Sequence, residues 1–431
     1  MAEIVKRGNG YRITVSLGRD DSGKKIRETI TYIPESTAPI KAKKEVEAYA
    51  VEFEKKVKSG KYIKDTKLTF TELVELWKDS ESFANLSLSC QEDYQRALKN
   101  WFIPSIGSIH INDISAVHLE SIYNRMRKEG KAKTTIKRAH CVVSSVIKYA
   151  YRKKMIEDDI LSRVDLPKIE KNTQLTYFDI EQSKRFLEAL HMRYEVPHKA
   201  HTRTIKGTGQ TYEVPEYTQT VTISSQFIAY FTLALFSGFR RGEMIALTWN
   251  DIDFDNKTVT VSKAMSSTRS QGQIEKSPKT RSGYRTLKLP SEVFESLREW
   301  KCEQKALLIK VGTLWKGYRG HEFDKNHVFI RTDTECGKVM YLDTPYSKLK
   351  EIIQLYNSTV TDDRDKLPDI RLHDLRHISA SLMISQNVDI ETISRRMGHA
   401  ETSTTLNIYG HAFESLDESA SDTLESLLSA R

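Results

Sequence analysis

The chain has 431 residues, which at about 100 to 200 residues per domain predicts two or three domains. Hydrophobic residues make up 39% of it and charged residues 29%, a composition that is typical of soluble globular proteins and argues against intrinsic disorder. The formal net charge of +9 favours a polyanionic partner such as nucleic acid, although many soluble proteins carry a similar excess of Lys and Arg.

The cysteine pattern and the apolar runs indicate the compartment. Cys90, Cys141, Cys302 and Cys336 are scattered with no C-x-x-C pair, so neither a disulfide framework nor a zinc ribbon is predicted. The amino terminus has no signal-peptide core, and the strongest apolar run, 227–236, is about half of the roughly 20 residues that a membrane span needs. We expect a cytoplasmic protein with no membrane partner.

Residues 3–33 alternate between apolar and polar in the manner of β-strands. The three runs lie at 3–7, 11–17 and 25–32. From Lys41 to Lys58 the spacing becomes helical, which predicts one helix laid on a small sheet. Basic residues here, namely Arg12, Lys24 and Lys25, suit entry into a DNA groove, where a narrow β-ribbon fits. A passive cap is an equally good interpretation of these residues.

After a polar linker at 59–67, Thr69 opens a helical region. Its apolar positions are Phe70, Leu73, Val74, Leu76, Trp77, Tyr94, Leu98, Trp101 and Phe102. We expect Pro104 and Gly107 to interrupt this helical pattern, because proline and glycine disfavour a helix interior.

The stretch from Arg125 to Lys154 holds eleven Lys or Arg residues against the single acid Glu129. An apolar stripe accompanies them, formed by Ile136, Cys141, Val142, Val143, Val146, Ile147 and Ala150. An ordinary solvated face usually carries both signs of charge, so this pattern favours a surface that follows the DNA backbone. We expect DNA contacts from Lys131, Lys133, Thr134, Lys137 and Arg138.

A second linker, at 167–173, precedes a region of mixed elements. The patterns predict helices at 178–190, at 226–236, from 240 and at 291–309, and strands at 257–263, 271–275 and 285–289. The segment 193–222 is irregular, is compatible with a hairpin around Gly207 and Gly209, and has no assignable chemistry. We find no internal repeat of the 20 to 50 residue kind.

The carboxyl-terminal stretch concentrates groups that can hold and attack a phosphodiester. Such an attack needs the nonbridging charge neutralised, a nucleophile in line and a proton for the leaving oxygen. Arg240, which follows the break at Ser237 and Gly238, and Arg376 are candidates for holding the nonbridging oxygens bidentately.

A tyrosine hydroxyl titrates at about 10, so Tyr409 would need a base that takes its proton as it attacks, and His373 is the natural acceptor. Lys279, in a turn between two predicted strands, is a candidate general acid for the leaving oxygen. Lys276 and Lys263 lie close enough in sequence to compete for that role.

Other histidines have weaker cases. His373 and His377 stand four residues apart on a predicted helix, a spacing that zinc uses. No glutamate lies between them and no cysteine cluster completes a site, so we predict no metal. His377 and His411 are interpreted as structural or as support for the site.

Several strings resemble the tyrosine recombinases, the phage-integrase family. They are S-G-F-R-R-G-E-M from Ser237, P-K-T-R-S-G-Y-R from Pro278, H-D-L-R-H from His373, M-G-H from Met397 and Y-G-H from Tyr409. Upstream, T-T-I-K-R-A-H from Thr134 is similar to the family's helical core-binding domain, and Y-R-I-T-V-S-L-G from Tyr11 resembles the arm-binding sheet of integrases from phages and conjugative transposons.

The resemblance implies a multidomain, mainly α-helical fold with small β-sheets. An arm-type DNA-binding domain of sheet plus helix would span 1–60, a helical core-binding domain 67–167, and a mixed α+β catalytic domain 174–431. These parts would bind double-stranded DNA at core and arm sites and assemble on it as a homotetramer, with a possible accessory bending or directionality factor, at the nucleoid of a bacterial host.

The resemblance also implies a role for each matched side chain. Arg240 and Arg376 would clamp the scissile phosphate, Glu243 would support the first of them, and His399 would hydrogen-bond the phosphate. Lys279 would protonate the leaving 5′ oxygen and His373 would assist proton removal, while Tyr409 forms a 3′-phosphotyrosyl link. Because that link stores the bond energy, rejoining would need no cofactor, neither ATP nor metal.

Two alternatives from other classes remain at this point. A type IB topoisomerase would use the same attack without exchanging DNA partners, and a DNA-binding regulator would carry the site without using it. Separate amino-terminal DNA-binding units argue against the first, and an intact set of site residues argues against the second. The amphipathic segment 413–428 is expected to dock on a neighbouring protomer or to pack on its own domain.

Overall fold

The computed structural model describes residues 2–19, 23–58, 68–168, 178–205, 207–278, 281–318, 326–406 and 409. The chain divides into two compact units, Met1–Lys171 and Asn172–Arg431. Among the described helices, none combines the length and the apolar character that a membrane span requires.

The first unit begins with a three-stranded antiparallel sheet and one helix, as predicted. The elements are β1 (Glu3–Arg7), β2 (Gly10–Arg19), β3 (Lys25–Tyr32) and α1 (Pro39–Lys58). Side chains of a strand alternate between its two faces, so Ile13 and Val15 are buried against Val46 and Phe53 of α1 while Arg12 is exposed on the opposite face. The sheet therefore has one face for the core and one that carries basic side chains.

The rest of the first unit is helical. Its helices are α2 (Phe70–Lys78), α3 (Glu81–Ala84), α4 (Leu88–Ala97), α5 (Ile103–Ile106), α6 (Ala116–Lys128) and α7 (Lys133–Arg152). Thr69 caps α2 through a capping box with Glu72. Phe70, Trp77 and Val143 belong to a buried cluster that is separate from the core of the sheet.

Two details of this helical region differ from the prediction. Pro104 does not interrupt the helix, because a π-helical turn, Leu98–Phe102, joins α4 to α5 and changes the hydrogen-bond register just before the proline. The helix ends at Gly107 instead. Cys141 is exposed and does not belong to the apolar stripe of α7, where Ala139 is buried instead.

The second unit is built around one apolar helix. Its helices are α8 (Ile180–His191), α9 (Ser225–Ser237), α10 (Arg241–Ala246), α11 (Ser291–Val311), α12 (Thr344–Thr359), α13 (Asp374–Ser385) and α14 (Ile390–Met397). Helix α9 is buried on almost every side, as its continuous apolar sequence requires, and it packs against α11 and α13.

The strands of the second unit are more regular and more numerous than predicted. The segment 193–222 is no irregular insert, because β4 (Arg193–His198) pairs with β7 (Tyr217–Thr222) and β5 (His201–Thr204) pairs with β6 (Thr211–Val214). The remaining strands are β8 (Ile252–Asp253), β9 (Thr258–Val261), β10 (Ala264–Thr268), β11 (Gly272–Lys276) and β12 (Arg285–Lys288). They form two sheets, β8-β9-β12 and β10-β11. β8 and β10 were not predicted. β8 is too short to show an alternating pattern, and β10 is mostly polar.

Candidate active site

The site is organised by the carboxyl end of α14. Gly398 ends this helix in the left-handed region with φ of 65°, where glycine is favoured. The amide of Gly398 donates to the Arg395 carbonyl and that of His399 to the Ser394 carbonyl, each at 3.1 Å. This hydrogen-bond pattern closes the helix and turns His399 away from its axis. The next carbonyls of the chain have no partner within the helix and are open to side-chain donors.

Three arginines donate to three consecutive carbonyls at this helix end. Arg285 Nε donates to Arg396 O at 2.7 Å, Arg376 Nη2 donates to Met397 O, and Arg240 Nη2 donates to Gly398 O at 3.1 Å. Cations are favoured there because the helix dipole places partial negative charge at the carboxyl end. One short helix thus gathers three guanidinium groups that come from three distant parts of the sequence.

Glu243 joins two of these arginines. Its Oε1 accepts from Arg240 Nη1 at 2.9 Å, and its Oε2 accepts from the Arg240 amide at 2.9 Å and from Arg285 Nη2 at 2.7 Å. Burial opposes ionisation of Glu243, but the hydrogen bond and charge of Arg285, together with the charge of Arg240, lower its pKa overall. One carboxylate and three guanidiniums leave this cluster with surplus positive charge, which suits a phosphate.

The turn after α9 places the two arginines predicted to clamp the phosphate. Gly238, with φ of 62°, ends α9, and its carbonyl accepts from Arg376 Nη1 at 2.7 Å. A Cβ atom on Gly238 would lie 2.4 Å from Met397 Cε, so a larger residue here would also displace the end of that α14 side chain. Arg376 is 4% exposed, whereas the Arg240 side chain is 41% exposed and accessible from solvent.

Burial and nearby positive charges lower the pKa values of the imidazole groups of the site. Desolvation, followed by the charges of Arg376 and Arg240, lowers the pKa of His399 to about 4. Its Nδ1 lies 2.8 Å from Thr405 Oγ1. His373 occupies the N-cap position of α13 without a side-chain capping bond, and desolvation followed by the charge of Arg376 lowers its pKa. Desolvation, followed by Arg240, also lowers the pKa of Arg376 to about 9, which leaves this guanidinium charged at neutral pH.

Tyr409 is buried against helices α13 and α14. It is 3% exposed and belongs to an apolar cluster with Ile384 of α13 and with Ile393 and Met397 of α14. Its hydroxyl oxygen lies 2.7 Å from Nδ1 of His377. The sequence had suggested His373 as the group that serves this hydroxyl; the ring of His373 lies 5.1 Å from that of His377, measured between centroids.

The phage integrase family matches residues 210–415, and the N-terminal SAM-like domain of phage integrases matches residues 69–127. A XerC-like tyrosine recombinase of Caldanaerobacter subterraneus subsp. tengcongensis is 26% identical to the chain, and the match covers 98% of each protein. The chain belongs to the phage integrase family of tyrosine recombinases. Members of this family are DNA strand-transferring enzymes, which confirms the predicted enzyme class.

Further relatives agree with this assignment. The ICEBs1 integrase of Bacillus subtilis is 32% identical to the recombinase over 203 residues, which are 47% of this chain and 49% of that protein. The solved Tn1549 transposon integrase in complex with circular intermediate DNA has a TM-score of 0.60 at 18% identity and covers 83% of this chain and 100% of its own. The latter similarity confirms the fold class. These relatives support neither the topoisomerase nor the regulator interpretation.

Some predicted residues of the recombinase lie outside the described part of the chain. They are Lys279, His411 and the segment 413–428. The strands that flank Lys279 are present, since β11 ends at Lys276 and β12 begins at Arg285. Of the competing lysines, Lys263 pairs with Glu275 at 3.4 Å and Lys276 Nζ lies 3.4 Å from Ser266 Oγ.

The side chains predicted to contact DNA are all exposed in the first unit. On the sheet and its edge they are Arg12, Lys24 and Lys25, and at the amino end of α7 they are Lys131, Lys133, Thr134, Lys137 and Arg138. Lys131 Nζ lies 5.9 Å and Arg125 Cζ 5.6 Å from the centroid of Trp101, so an indole ring helps to order this cationic surface.

Two residues of the site were missed by sequence reasoning. Arg285 was quoted only as part of a motif, yet it is 8% exposed, binds Glu243 and lies 4.9 Å from the Phe239 ring centroid. The only available signal was an arginine at the first position of an otherwise apolar-alternating strand. His377 was interpreted as structural or as support for the site, without a contact to Tyr409. Among the described residues, no group of three or more His, Cys, Asp or Glu side chains is arranged to hold a metal ion.

Proposed function

We propose that this recombinase cleaves and rejoins DNA at specific sites through a 3′-phosphotyrosyl intermediate on Tyr409, in the integration and excision of a mobile genetic element. The observation that carries the proposal is the convergence of Arg240, Arg285 and Arg376 on one helix end beside a buried tyrosine. A fixed cluster with surplus positive charge stabilises the charge that develops on a phosphate under attack.

Arg240 and Arg376 hold the nonbridging oxygens of the scissile phosphate in this proposal. Each guanidinium uses part of its donor fork on backbone carbonyls, which fixes its orientation and leaves further N–H groups for the substrate. Glu243 and Arg285 position Arg240. His399 is neutral at pH 7, and if its Nδ1 accepts from Thr405, its Nε2–H is the donor available to the phosphate.

The covalent step exchanges one phosphodiester for another. The Tyr409 oxygen bonds to phosphorus as the bond from phosphorus to the 5′ oxygen breaks, and Lys279 gives its proton to that oxygen. His373, which immediately precedes α13, assists removal of the phenol proton in this proposal. The phosphotyrosyl bond keeps the energy of the broken linkage, so rejoining requires neither ATP nor a metal.

The chain would use its amino-terminal regions to find DNA. We assign 1–60 to arm-site binding, 67–167 to core-site binding and 174–431 to catalysis. The exposed cations of the sheet and of α7 support the two DNA-binding assignments, because such side chains can neutralise backbone phosphates. A homotetramer on DNA would carry out two rounds of strand exchange through a four-way junction at the bacterial nucleoid, with 413–428 docking on a neighbour and an accessory factor setting direction.

The experiment is covalent-adduct formation on a nicked suicide substrate. Wild-type protein should form a protein–DNA adduct in the presence of a chelator, and Tyr409→Phe should form none while it retains DNA binding in a gel-shift assay. An adduct from Tyr409→Phe would refute the assignment of the nucleophile. Relaxation of supercoiled plasmid without exchange between two DNA partners would favour the topoisomerase reaction instead.

A further inference from the structure

We infer that His377 is the catalytic group that accepts the proton of the Tyr409 hydroxyl during strand cleavage and returns it during rejoining. The inference deepens the proposed function and rests on it, because it assigns a proton acceptor to the nucleophile named there. It gives a chemical role to a side chain that the sequence suggested was structural or a support for the site.

The geometry carries the assignment. Nδ1 of His377 and the hydroxyl oxygen of Tyr409 are 2.7 Å apart, within the range from which a general base removes a proton. His377 lies in α13 one residue after Arg376, so the proposed proton acceptor and a phosphate-binding guanidinium share one rigid helix. The contact therefore fixes the tyrosine oxygen with respect to the arginine cluster.

The surroundings of His377 keep its ring unprotonated before the reaction. Desolvation, followed by the neighbouring His373, lowers its pKa to about 4. A neutral ring with its proton on Nε2 presents the Nδ1 lone pair to the phenol. The titratable and charged groups that act on it are His373, Asp374, Arg371, Arg376, His399 and Tyr409.

Proton transfer then follows from binding of the scissile phosphate. The phosphate brings negative charge to a cluster that is otherwise rich in guanidinium groups, and this raises the affinity of His377 for a proton. The phenol proton moves to Nδ1 as the oxygen bonds to phosphorus, and the departing 5′ oxygen takes its proton from the acid assigned to Lys279. In rejoining, a 5′ hydroxyl attacks phosphorus and the His377 imidazolium returns its proton to the leaving Tyr409 oxygen.

The test measures the rate of adduct formation on the suicide substrate from pH 6 to 9 with saturating enzyme. His377→Gln retains a hydrogen-bonding side chain but loses the basic nitrogen, and we expect cleavage to fall about 10²- to 10³-fold at neutral pH. The deficit should shrink as pH rises, because solvent then helps to remove the phenol proton. His191→Gln, the same change at an exposed position of α8, is the control and should retain the wild-type rate.

A second measurement separates proton transfer from a structural role. Replacement of Tyr409 by 3-fluorotyrosine makes the phenol more acidic, so it should accelerate His377→Gln at least about tenfold more than it changes wild type. Both proteins in this ratio carry His377→Gln, so a folding defect caused by that change affects both rates and cancels. An equal effect of fluorotyrosine in both backgrounds would overturn the inference, as would a wild-type rate for His377→Gln.

The two proposals fail in different ways. If Tyr409→Phe forms adducts, the proposed nucleophile is wrong. If Tyr409→Phe is inactive and His377→Gln cleaves at the wild-type rate, the nucleophile stands and only the role of His377 is refuted.

Discussion

The recombinase carries two clusters of cations that are built in opposite ways. At the carboxyl end of α14, Arg285 and Arg376 are buried and hydrogen-bonded to fixed backbone carbonyls. At the amino end of α7, Lys131, Lys137 and Arg138 are exposed. The first cluster holds guanidiniums in set directions, and the second presents charge on a surface.

The difference teaches which cations suit chemistry and which suit affinity. Burial strengthens electrostatic interactions and removes the need to reorganise solvent during a reaction, so fixed guanidiniums favour a transition state. Exposed cations gain affinity by releasing counterions from DNA, and their contribution depends on salt rather than on exact geometry. Substitutions in the two clusters should therefore change different measured quantities.

The largest expected effect is that of Arg376→Lys. Lysine keeps the charge but cannot donate to the Gly238 and Met397 carbonyls and to a phosphate in the same fixed directions. We expect the cleavage rate to fall on the order of 10³-fold while the Kd for DNA changes only a few-fold. Single-turnover cleavage and a gel-shift titration measure these quantities, and a cleavage loss that is fully explained by weaker binding would contradict the comparison.

Glu243→Gln should lower both the free energy of unfolding and the rate of DNA cleavage. The carboxylate pairs with Arg285 at 2.7 Å, and the two side chains are 6% and 5% exposed, so the change leaves a buried guanidinium without its counterion. We expect a loss of about 3 to 4 kcal/mol in the free energy of unfolding. Glu275→Gln, which removes the half-exposed partner of Lys263, is the control and should cost under about 1 kcal/mol in denaturant titrations. Equal losses would show that burial is not the deciding factor.

Lowering the pH should destabilise the folded protein through the histidines of the site. The pKa of His377 and that of His399 are each lowered to about 4 in the folded protein, so between about pH 6.5 and 4 the unfolded chain binds more protons. The free energy of unfolding is therefore highest above pH 6.5 and falls as the pH drops through this window. Buried His377 accounts for up to about 3 kcal/mol of this loss.

Thermal unfolding at pH 7.5, 5.5 and 4.5 measures this dependence. His377→Gln should show a shallower fall in Tm than wild type, because glutamine does not titrate. The same pH dependence in both proteins would mean that His377 is protonated as readily in the folded state as in the unfolded chain.

The smallest effect is expected from Lys137→Ala and Arg138→Ala. Each change removes one exposed cation of α7, so each should reduce the slope of log K against log salt concentration by about 0.9 if that side chain contacts a phosphate. The cleavage rate at saturating protein should not change. Lys184→Ala, at an exposed position of α8, is the control and should leave the slope unaltered.

The sequence was sufficient for the features that depend on local pattern or on short motifs. The sheet and α1 follow from alternation and helical spacing, and the end of α9 at Gly238 follows from the break that Ser237 and Gly238 make in the sequence. Arg240 and Arg376 could be predicted as a pair because two guanidiniums can hold the nonbridging oxygens of a phosphodiester, and the structure places both at the end of α14.

Contacts between distant parts of the chain could not be read in this way. The hydrogen bonds of Arg285 to Arg396 and of Arg376 to Gly238 join residues more than 100 positions apart, and no periodicity encodes them. The contact between His377 and Tyr409 could not be predicted, because the helical spacing of His377 from His373 says nothing about a residue that lies beyond α14. The prediction that Pro104 interrupts the helix was wrong because the π-helical turn before it accommodates the proline.

The central claim is that the guanidiniums at the end of α14 neutralise one scissile phosphate. Arg240→Ala tests it most directly, because this side chain is partly exposed and Arg285 remains to pair with Glu243. On an ordinary phosphodiester we expect the variant to cleave on the order of 10³-fold more slowly than wild type. On a substrate with an uncharged methylphosphonate at the scissile position, the account predicts that most of this deficit disappears, whereas an equal deficit on both substrates would contradict it.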